Sequence, residues 1–207
     1  MVRGLFPRAE QQIVLATLAQ SVVFLTGVNI EQTLRAPGFD SLAWDLANLY
    51  LASPGANLLG QHAPLLVGLS QETTCYVSPD YFTQDDPFAD FVVHEVAHIF
   101  HNCKRATLGL PSTRTKVWLL DVEYAKREAF AYSCEAFSRL IGRAKSLVER
   151  RPLAKEYSRA PRIADDRVDA AEVSSIIQEA AAARNGWKVI LARCEPPGRS
   201  TSKSSTG

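Results

Sequence analysis

The sequence predicts an α+β fold that is mostly helical and contains a small sheet. Three observations favour this class. Apolar residues recur at helical spacing over most of the chain, two short strand patterns follow one another at 65–70 and 73–77, and helical patterns lie before and after this pair instead of alternating with it. Hydrophobic residues make up 46% and charged residues 22% of the 207 positions, which is ordinary for a globular protein and predicts one domain over residues 1–194.

The first half of the chain is predicted to begin with two helices. Residues 8–26 carry an apolar stripe at helical spacing, and residues 41–52 carry a second one that a Pro-Gly pair terminates. The two predicted strands follow, joined by a polar turn at Gln71-Glu72.

The next helix is predicted to start at Asp86, which is placed to cap it because Pro87 suits the first helical position. This helix is expected to end near 102–104. Residues 106–115 contain Gly and Pro and are predicted as a loop. A long helix is then predicted over 117–144.

Three further elements are predicted toward the C-terminus. Residues 146–157 are predicted as a short helix, Asp166 is expected to cap another that runs to Arg184, and residues 187–192 are predicted as a last strand or docked extended segment. Residues 195–207 are dominated by Pro, Gly, Ser, Thr and Lys, from which no core can form, so this tail is predicted to be disordered.

The charge balance argues against a dedicated nucleic-acid-binding protein. Lys and Arg total 23 against 22 for Asp and Glu, whereas such proteins usually carry a strong basic excess. A local basic segment between Arg150 and Arg167 leaves a nucleic-acid-associated regulatory module as an alternative.

Cysteine usage and the N-terminal region bear on the compartment. Four cysteines are scattered without a Cys-x-x-Cys pair, which predicts buried reduced thiols and a cytoplasmic location. The apolar stretch 13–25 is interrupted by polar residues and is too short to span a bilayer. It is therefore expected to be a core helix, and neither a secretory signal nor a membrane span is predicted.

The segment His94-Glu95-Val96-Ala97-His98 carries the predicted chemistry. On a helix His94 and His98 differ by about 40° around the axis, so both imidazoles project from one face, one turn apart. Two ring nitrogens can then reach one zinc ion at about 2.0–2.1 Å. Glu95 lies next to the first ligand and is placed to act as general base toward a metal-activated water.

This segment resembles the His-Glu-x-x-His signature of the zincin metallopeptidases, and its uncharged flanks suit a buried active-site helix. The resemblance implies a zincin-like domain, Zn²⁺ as cofactor and hydrolysis of a protein or peptide substrate. The metzincin branch is excluded, because position 104, where its third ligand would stand, is Lys. His101 lies about 10 Å from His94 along a helix axis, so it is expected to support or pack against the site without binding the same ion.

A third protein ligand is therefore expected from the long predicted helix, where the candidates are Glu128, then Glu135, then Asp121. Glu128 lies at the edge of the apolar stripe beside small residues that permit close helix approach. The segment that begins at Glu128 also resembles the Glu-Ala-rich helix that supplies the third ligand in gluzincins of the ImmA/IrrE type. Position 132 is Tyr where many gluzincins carry Asp, so the residue that orients His94 stays open.

Two tyrosines and one strand complete the expected site. Tyr124 and Tyr132 lie one turn either side of Glu128 and are candidates to donate a hydrogen bond to an oxyanion. The strand at 73–77 is expected to offer its edge to an extended peptide. The predicted function is a zinc peptidase with Glu95 as general base, and the alternative is a non-catalytic partner-binding protein on the same scaffold.

Overall fold

The structure is a computed structural model that describes residues 1–35, 40–60, 62–63, 66, 68–83, 85–160, 163 and 165–197. Over these residues, helices accompany one small mixed sheet, which confirms the predicted α+β class. No helix in the described ranges is both long and apolar enough to cross a membrane. Most of the predicted tail, residues 198–207, lies outside the described residues.

The N-terminal region contains helices α1 (Val2–Leu5) and α2 (Arg8–Leu18) and then strand β1 (Val22–Phe24). The prediction of one helix over 8–26 is therefore wrong beyond Leu18. The apolar residues after that point pair in parallel with a strand some fifty positions later in the chain, in the register Val22 to Cys75. Helical spacing alone cannot reveal such a distant backbone partner.

Helices α3 (Ile30–Arg35) and α4 (Asp40–Ala52) cover one face of the sheet. Helix α4 confirms the helix predicted over 41–52, whereas α3 was not predicted. Leu46 and Leu49 of α4 are fully buried in a small apolar cluster against that face.

The predicted hairpin is present as β2 (Gly68–Gln71) and β3 (Thr74–Val77), although part of the predicted start of the first strand lies outside the described residues. Glu72 in the turn has a positive φ of 49°, which a two-residue hairpin turn requires. The strand order is β1-β3-β2. The expectation that the strand at 73–77 offers a free edge is therefore wrong, because β3 is central and, among the described residues, β1 and β2 form the two edges.

Side chains alternate across this sheet between two layers. Leu69 and Tyr76 face the small cluster beneath α4, whereas Cys75 and Val77 point to the opposite side and are fully buried in the main core. Because the period of a strand is two, Gly68 shares the face of the sheet that points to the main core. This is the face against which the motif helix packs.

The motif helix is α5 (Phe91–Asn102), and its end confirms the prediction. Its N-cap is Asp90, whose carboxylate accepts a hydrogen bond from the backbone N–H of Val93 at 3.2 Å. The prediction of Asp86 as the cap is wrong, because Asp86 accepts from the N–H of Phe88 in the preceding turn. Both positions offer an Asp of suitable chemistry, so local propensity did not separate them.

The helix predicted over 117–144 is shorter in the structure, where α6 spans Arg127–Arg143 after a 3-10 turn. The first residues of the predicted helix, 117–120, are not helical and lie along the end of α5. The N–H of Leu119 donates to the carbonyl of Cys103 at 3.0 Å, and that of Leu120 donates to Phe100 at 2.7 Å. These bonds satisfy carbonyls that the end of α5 leaves without helical partners, and they exclude a helix at 117–120. The predicted loop over 106–115 holds a short 3-10 turn at its start.

Three helices, α7 (Leu147–Arg159), α8 (Ala170–Ala182) and α9 (Gly186–Cys194), complete the described chain. Helix α7 confirms the prediction over 146–157. Helix α8 is capped by Asp169, which accepts from the N–H of Ala171 at 2.8 Å, so the prediction of Asp166 as its cap is wrong.

The prediction of a strand over 187–192 is also wrong, because these residues belong to α9. Trp187, Ile190, Leu191 and Cys194 recur at helical spacing and are all buried. The amide oxygen of Asn185 caps the helix. The apolar run at 187–192 is short enough to suit a strand or a helix. It forms a helix because α6 and α8 cover the face on which its apolar residues recur.

The main core lies between α5, α6 and the C-terminal helices. Helix α6 buries Phe130, Phe137 and Leu140 almost completely. Ala129 and Ala136 are buried as well, and α5 and α6 pack extensively against each other. This close, antiparallel packing of α5 on α6 positions the candidate site.

Candidate metal centre

Three side chains from two helices converge between α5 and α6. His94 and His98 project from adjacent turns of α5, with ring centroids 4.9 Å apart. One carboxylate oxygen of Glu128, in the first turn of α6, lies 3.6 Å from Nε2 of His94 and 3.4 Å from Nε2 of His98. The ligand atoms of the three residues all lie within 4.8 Å of one another.

These separations fit a tetrahedral metal ion. With bonds of about 2.0–2.1 Å, neighbouring ligands of a tetrahedral zinc ion are about 3.3 Å apart. The two distances from Glu128 come close to this value. Two imidazoles and one carboxylate also form a donor set that suits zinc and leaves one coordination position open.

The electrostatics of the cluster stabilise positive charge between the ligands. Burial disfavours the charged form of His94, but its hydrogen bonds with Glu128 and Glu135 outweigh burial and raise its pKa to about 10. Burial likewise disfavours the charged carboxylate of Glu128, yet the two imidazoles hold its pKa well below the usual range. A divalent cation would take the place of the proton that these groups share.

Glu135 lies behind the first histidine and not among the ligand atoms. One of its oxygens is 3.0 Å from Nδ1 of His94, and the other accepts the backbone N–H of Asp90 at 2.8 Å. Glu135 is buried, with 7% of its surface exposed. Glu135 therefore orients the His94 ring and joins α6 to the N-terminus of α5, which answers the question of what orients His94.

The second histidine is supported by another imidazole. Nδ1 of His98 lies 3.0 Å from Nε2 of His101, and Nδ1 of His101 lies 3.1 Å from the amide oxygen of Asn102. His101 is 2% exposed. Burial, together with the neighbouring His98, lowers the pKa of His101 to about 3, so His101 is neutral.

Glu95 is buried beside strand β2, where it is 6% exposed. It accepts a hydrogen bond from the side chain of Ser70. Burial raises the pKa of Glu95 more than the two histidines and Ser70 lower it. The backbone of β2 approaches so closely that a Cβ on Gly68 would lie 2.5 Å from Cγ of Glu95 and 2.6 Å from Oε1. A residue with a side chain at position 68 would therefore displace the carboxylate of Glu95.

Gly68 and Ser70 were not predicted as site residues. A glycine inside a strand pattern is a known sign of close backbone approach, and this signal could have identified Gly68. Nothing in the sequence pairs Ser70 with Glu95, because that contact depends on how the hairpin packs against α5.

The remaining candidates lie in different surroundings. The ring of Tyr132 packs edge-on against His94 with centroids 4.6 Å apart, and Tyr132 also lines a small cavity of about 20 Å³ beside Glu135. Tyr124 is 82% exposed, and its ring lies over the guanidinium of Arg127. Asp121 precedes α6 and lines a separate groove whose walls come from the N-terminal and C-terminal helices.

Comparison with known proteins adds no relative. No protein-family model, curated protein or solved structure matches the chain. The chemistry of the site therefore has to be inferred from its own residues.

Proposed function

We propose that this protein is a zinc-dependent hydrolase that cleaves peptide bonds, with zinc bound by His94, His98 and Glu128. The observation that carries the proposal is the convergence of three ligand atoms within 4.8 Å of one another, with Glu128 near tetrahedral spacing from both imidazoles, beside the buried carboxylate of Glu95. Metal sites with three protein ligands and one open position are typical of catalytic zinc.

The donor set favours zinc over harder cations. Calcium and magnesium prefer six or more oxygen ligands, whereas imidazole suits zinc. Each histidine also has a hydrogen-bond partner on Nδ1, namely Glu135 for His94 and His101 for His98. Such partners are the usual companions of imidazoles that bind a metal through Nε2.

Glu95 is the proposed general base. When bound, zinc lowers the pKa of a coordinated water and polarises the carbonyl group of the substrate. The carboxylate of Glu95 accepts a proton during attack and returns it to the leaving nitrogen. Its raised pKa, caused mainly by burial, moves it toward neutral pH, where one group can both accept and return a proton. Ser70 and the close backbone at Gly68 hold the carboxylate in position.

The edge of β2 supports a peptide as substrate. The pairing of Gln71 with Thr74 closes a two-residue hairpin, so the hydrogen-bonded pairs are Gln71 with Thr74 and Leu69 with its partner on β3. The backbone N–H and C=O groups of Gly68 and Ser70 are therefore directed away from β3, toward the outer edge. An extended peptide that pairs with this edge would lie beside Glu95. Tyr132, packed on His94, remains the candidate donor to the oxyanion.

The test combines metal analysis with a cleavage assay. We expect the purified protein to bind about one zinc ion and to cleave a denatured protein or peptide library. Glu95→Gln should keep the zinc and lose activity by about 100-fold or more, whereas Glu128→Ala should lose the zinc. Glu31→Gln, which changes an exposed ion pair with Arg35, is the matched control.

Two outcomes would contradict the proposal. If Glu95→Gln cleaves as fast as the parent protein, Glu95 is not the base. If the parent protein holds zinc yet cleaves no peptide in the library, the alternative of a non-catalytic partner-binding protein is favoured.

A nucleic-acid-associated role receives no support from a described contact. At one end of the basic segment, Arg167 forms a bidentate pair with Asp165, with distances of 2.6 and 2.8 Å. This pairing neutralises part of the positive charge that a phosphate would require.

A further inference from the structure

A line of hydrogen bonds leads from the second candidate metal ligand to an arginine on the other helix. Nδ1 of His98 contacts Nε2 of His101 at 3.0 Å, and Nδ1 of His101 contacts Oδ1 of Asn102 at 3.1 Å. Nη1 of Arg127 donates to the same Oδ1 at 3.2 Å. The line therefore joins the end of α5 to the start of α6.

The donors and acceptors along this line can be assigned from the arginine inward. A guanidinium has only donors, so Arg127 requires the oxygen of Asn102 and not its amino group. Nδ1 of His101, which faces the same oxygen, must then donate. A neutral imidazole with a donor at Nδ1 has an acceptor at Nε2, so Nδ1 of His98 must donate in turn. Nε2 of His98 is left with the lone pair that a metal needs.

We propose that Arg127, Asn102 and His101 are positioning residues that fix His98 in the tautomer able to bind a metal through Nε2. The three residues act in sequence, and Arg127 sets the direction of the whole line. The inference deepens the proposed zinc site and rests on it for the affinity measurement, but the direction of the hydrogen bonds exists with or without metal.

The comparison of the two histidines explains why such a line is needed. His94 faces the carboxylate of Glu135, and a carboxylate can only accept, so one contact is enough to place the proton on Nδ1. His98 faces an imidazole, which can donate or accept at either nitrogen. The direction of the hydrogen bond between His98 and His101 must therefore be set by a group further away. The guanidinium of Arg127, which has donors and no acceptor, sets it.

Arg127 is held in place for this role. Its guanidinium lies 5.1 Å from the centroid of the Tyr124 ring, an attractive cation–π arrangement. It also directly precedes Glu128 in the first turn of α6. The line through Arg127 therefore fixes one end of the α5–α6 pair, and Glu135 fixes the other end through Asp90.

The first experiment observes the protons directly. In metal-free protein labelled with ¹⁵N at histidine, two-bond ¹H–¹⁵N correlation spectra distinguish a protonated from a bare ring nitrogen. We expect His101 to be protonated at Nδ1 and bare at Nε2. A proton on Nε2 of His101 would overturn the proposal. This result does not depend on zinc binding, so it separates failure of this inference from failure of the proposed function.

The second experiment removes the arginine. Arg127→Met keeps most of the side-chain volume but frees the amide of Asn102 to flip, and it should produce a mixture of His101 tautomers. Zinc affinity, measured by competition with a chromophoric chelator, should fall about 10-fold. Removal of a nearby positive charge would by itself tighten zinc binding, so unchanged or tighter binding would overturn the proposal. Arg143→Met, on the same helix and paired with Glu156, is the matched control.

The third experiment restores the direction without the arginine. Both oxygens of a carboxylate can only accept, so adding Asn102→Asp to Arg127→Met should return the proton of His101 to Nδ1 and recover zinc affinity. Asn102→Leu, which cannot accept, should show the same loss as Arg127→Met or a larger one. If the spectra of Arg127→Met with Asn102→Asp still show mixed His101 tautomers, the proposed line of control is wrong.

Discussion

Replacing Glu135 with Gln tests whether this residue orients His94, the first ligand of the proposed zinc site, or is itself a ligand of that site. The carboxylate accepts from Nδ1 of His94 at 3.0 Å and from the N–H of Asp90 at 2.8 Å. An amide has one oxygen, so in Glu135→Gln one of these donors faces an amino group instead of an acceptor. If that donor is His94, the amino group favours the tautomer that carries its proton on Nε2, which cannot bind zinc.

The expected size of the effect follows from these contacts. A hydrogen bond to a charged group contributes about 1.5–3 kcal/mol, and about 1.4 kcal/mol corresponds to a tenfold change in affinity. Zinc affinity of Glu135→Gln should therefore fall about 10–100-fold, in line with the usual effect of removing the partner of a metal-bound imidazole. The free energy of unfolding should also fall by about 1–3 kcal/mol, because a buried donor loses its acceptor.

Zinc affinity is measured by chelator competition, and stability is measured by urea unfolding of the metal-free protein. Glu156→Gln, which alters an exposed pair with Arg143, serves as the control and should change neither quantity by much. Binding within twofold of the parent protein would refute the orienting role. If Glu135→Gln abolished zinc binding while Glu128→Gln left it nearly intact, Glu135 would be the ligand and the assignment of Glu128 would be wrong.

Three other expectations follow from the structure. Gly68→Ala should reduce peptide cleavage by about 10-fold or more while zinc stays bound, because the new Cβ would lie 2.5 Å from Cγ of Glu95 and would push this side chain aside. A fully active variant would show that the position of Glu95 is not critical. Zinc affinity should rise about tenfold per pH unit between pH 6 and 9, because metal-free His94 has a pKa of about 10 and must release its proton to bind zinc. Calorimetry in buffers of different ionisation enthalpy should detect the released proton. A zinc affinity that does not change with pH would contradict the assignment of His94 as a ligand. Arg105→Met should lower the free energy of unfolding by about 3–5 kcal/mol, because Arg105 is 2% exposed and forms two hydrogen bonds with Glu10 at 2.7 and 3.1 Å. Arg105 lowers the pKa of Glu10, so the stabilisation is present above the pKa of Glu10 in the unfolded chain, near 4.5, and is lost as the pH falls through the lower pKa of the folded state; a urea-unfolding series from pH 7 to pH 3 that showed no such loss would contradict it.

Local patterns in the sequence were sufficient for elements whose signals lie within the element. Helix α4, helix α7 and the β2–β3 hairpin follow from apolar spacing and turn residues. The motif helix follows in the same way, and its period alone places the imidazoles of His94 and His98 one turn apart on one face.

Elements that depend on distant partners were predicted wrongly. Strand β1 exists because Val22 to Phe24 pair with β3, and the start of α6 is delayed because the preceding residues bond to the end of α5. Residues 187–192 adopt a helix because α6 and α8 cover its apolar face. In each case a backbone or side-chain partner far along the chain overrides a local preference that is worth only a fraction of a kcal/mol per residue.

The sequence by itself determined which residues form the centre of the candidate site, because a His-Glu-x-x-His segment on a helix brings two imidazoles and a carboxylate together. It left Glu128, Glu135 and Asp121 as alternatives for the third ligand. The tertiary structure separated them: antiparallel docking of α5 on α6 places Glu128 opposite both Nε2 atoms and Glu135 behind His94, while Asp121 precedes the helix. Contacts between residues some forty positions apart depend on how whole helices pack, and no local pattern contains that information.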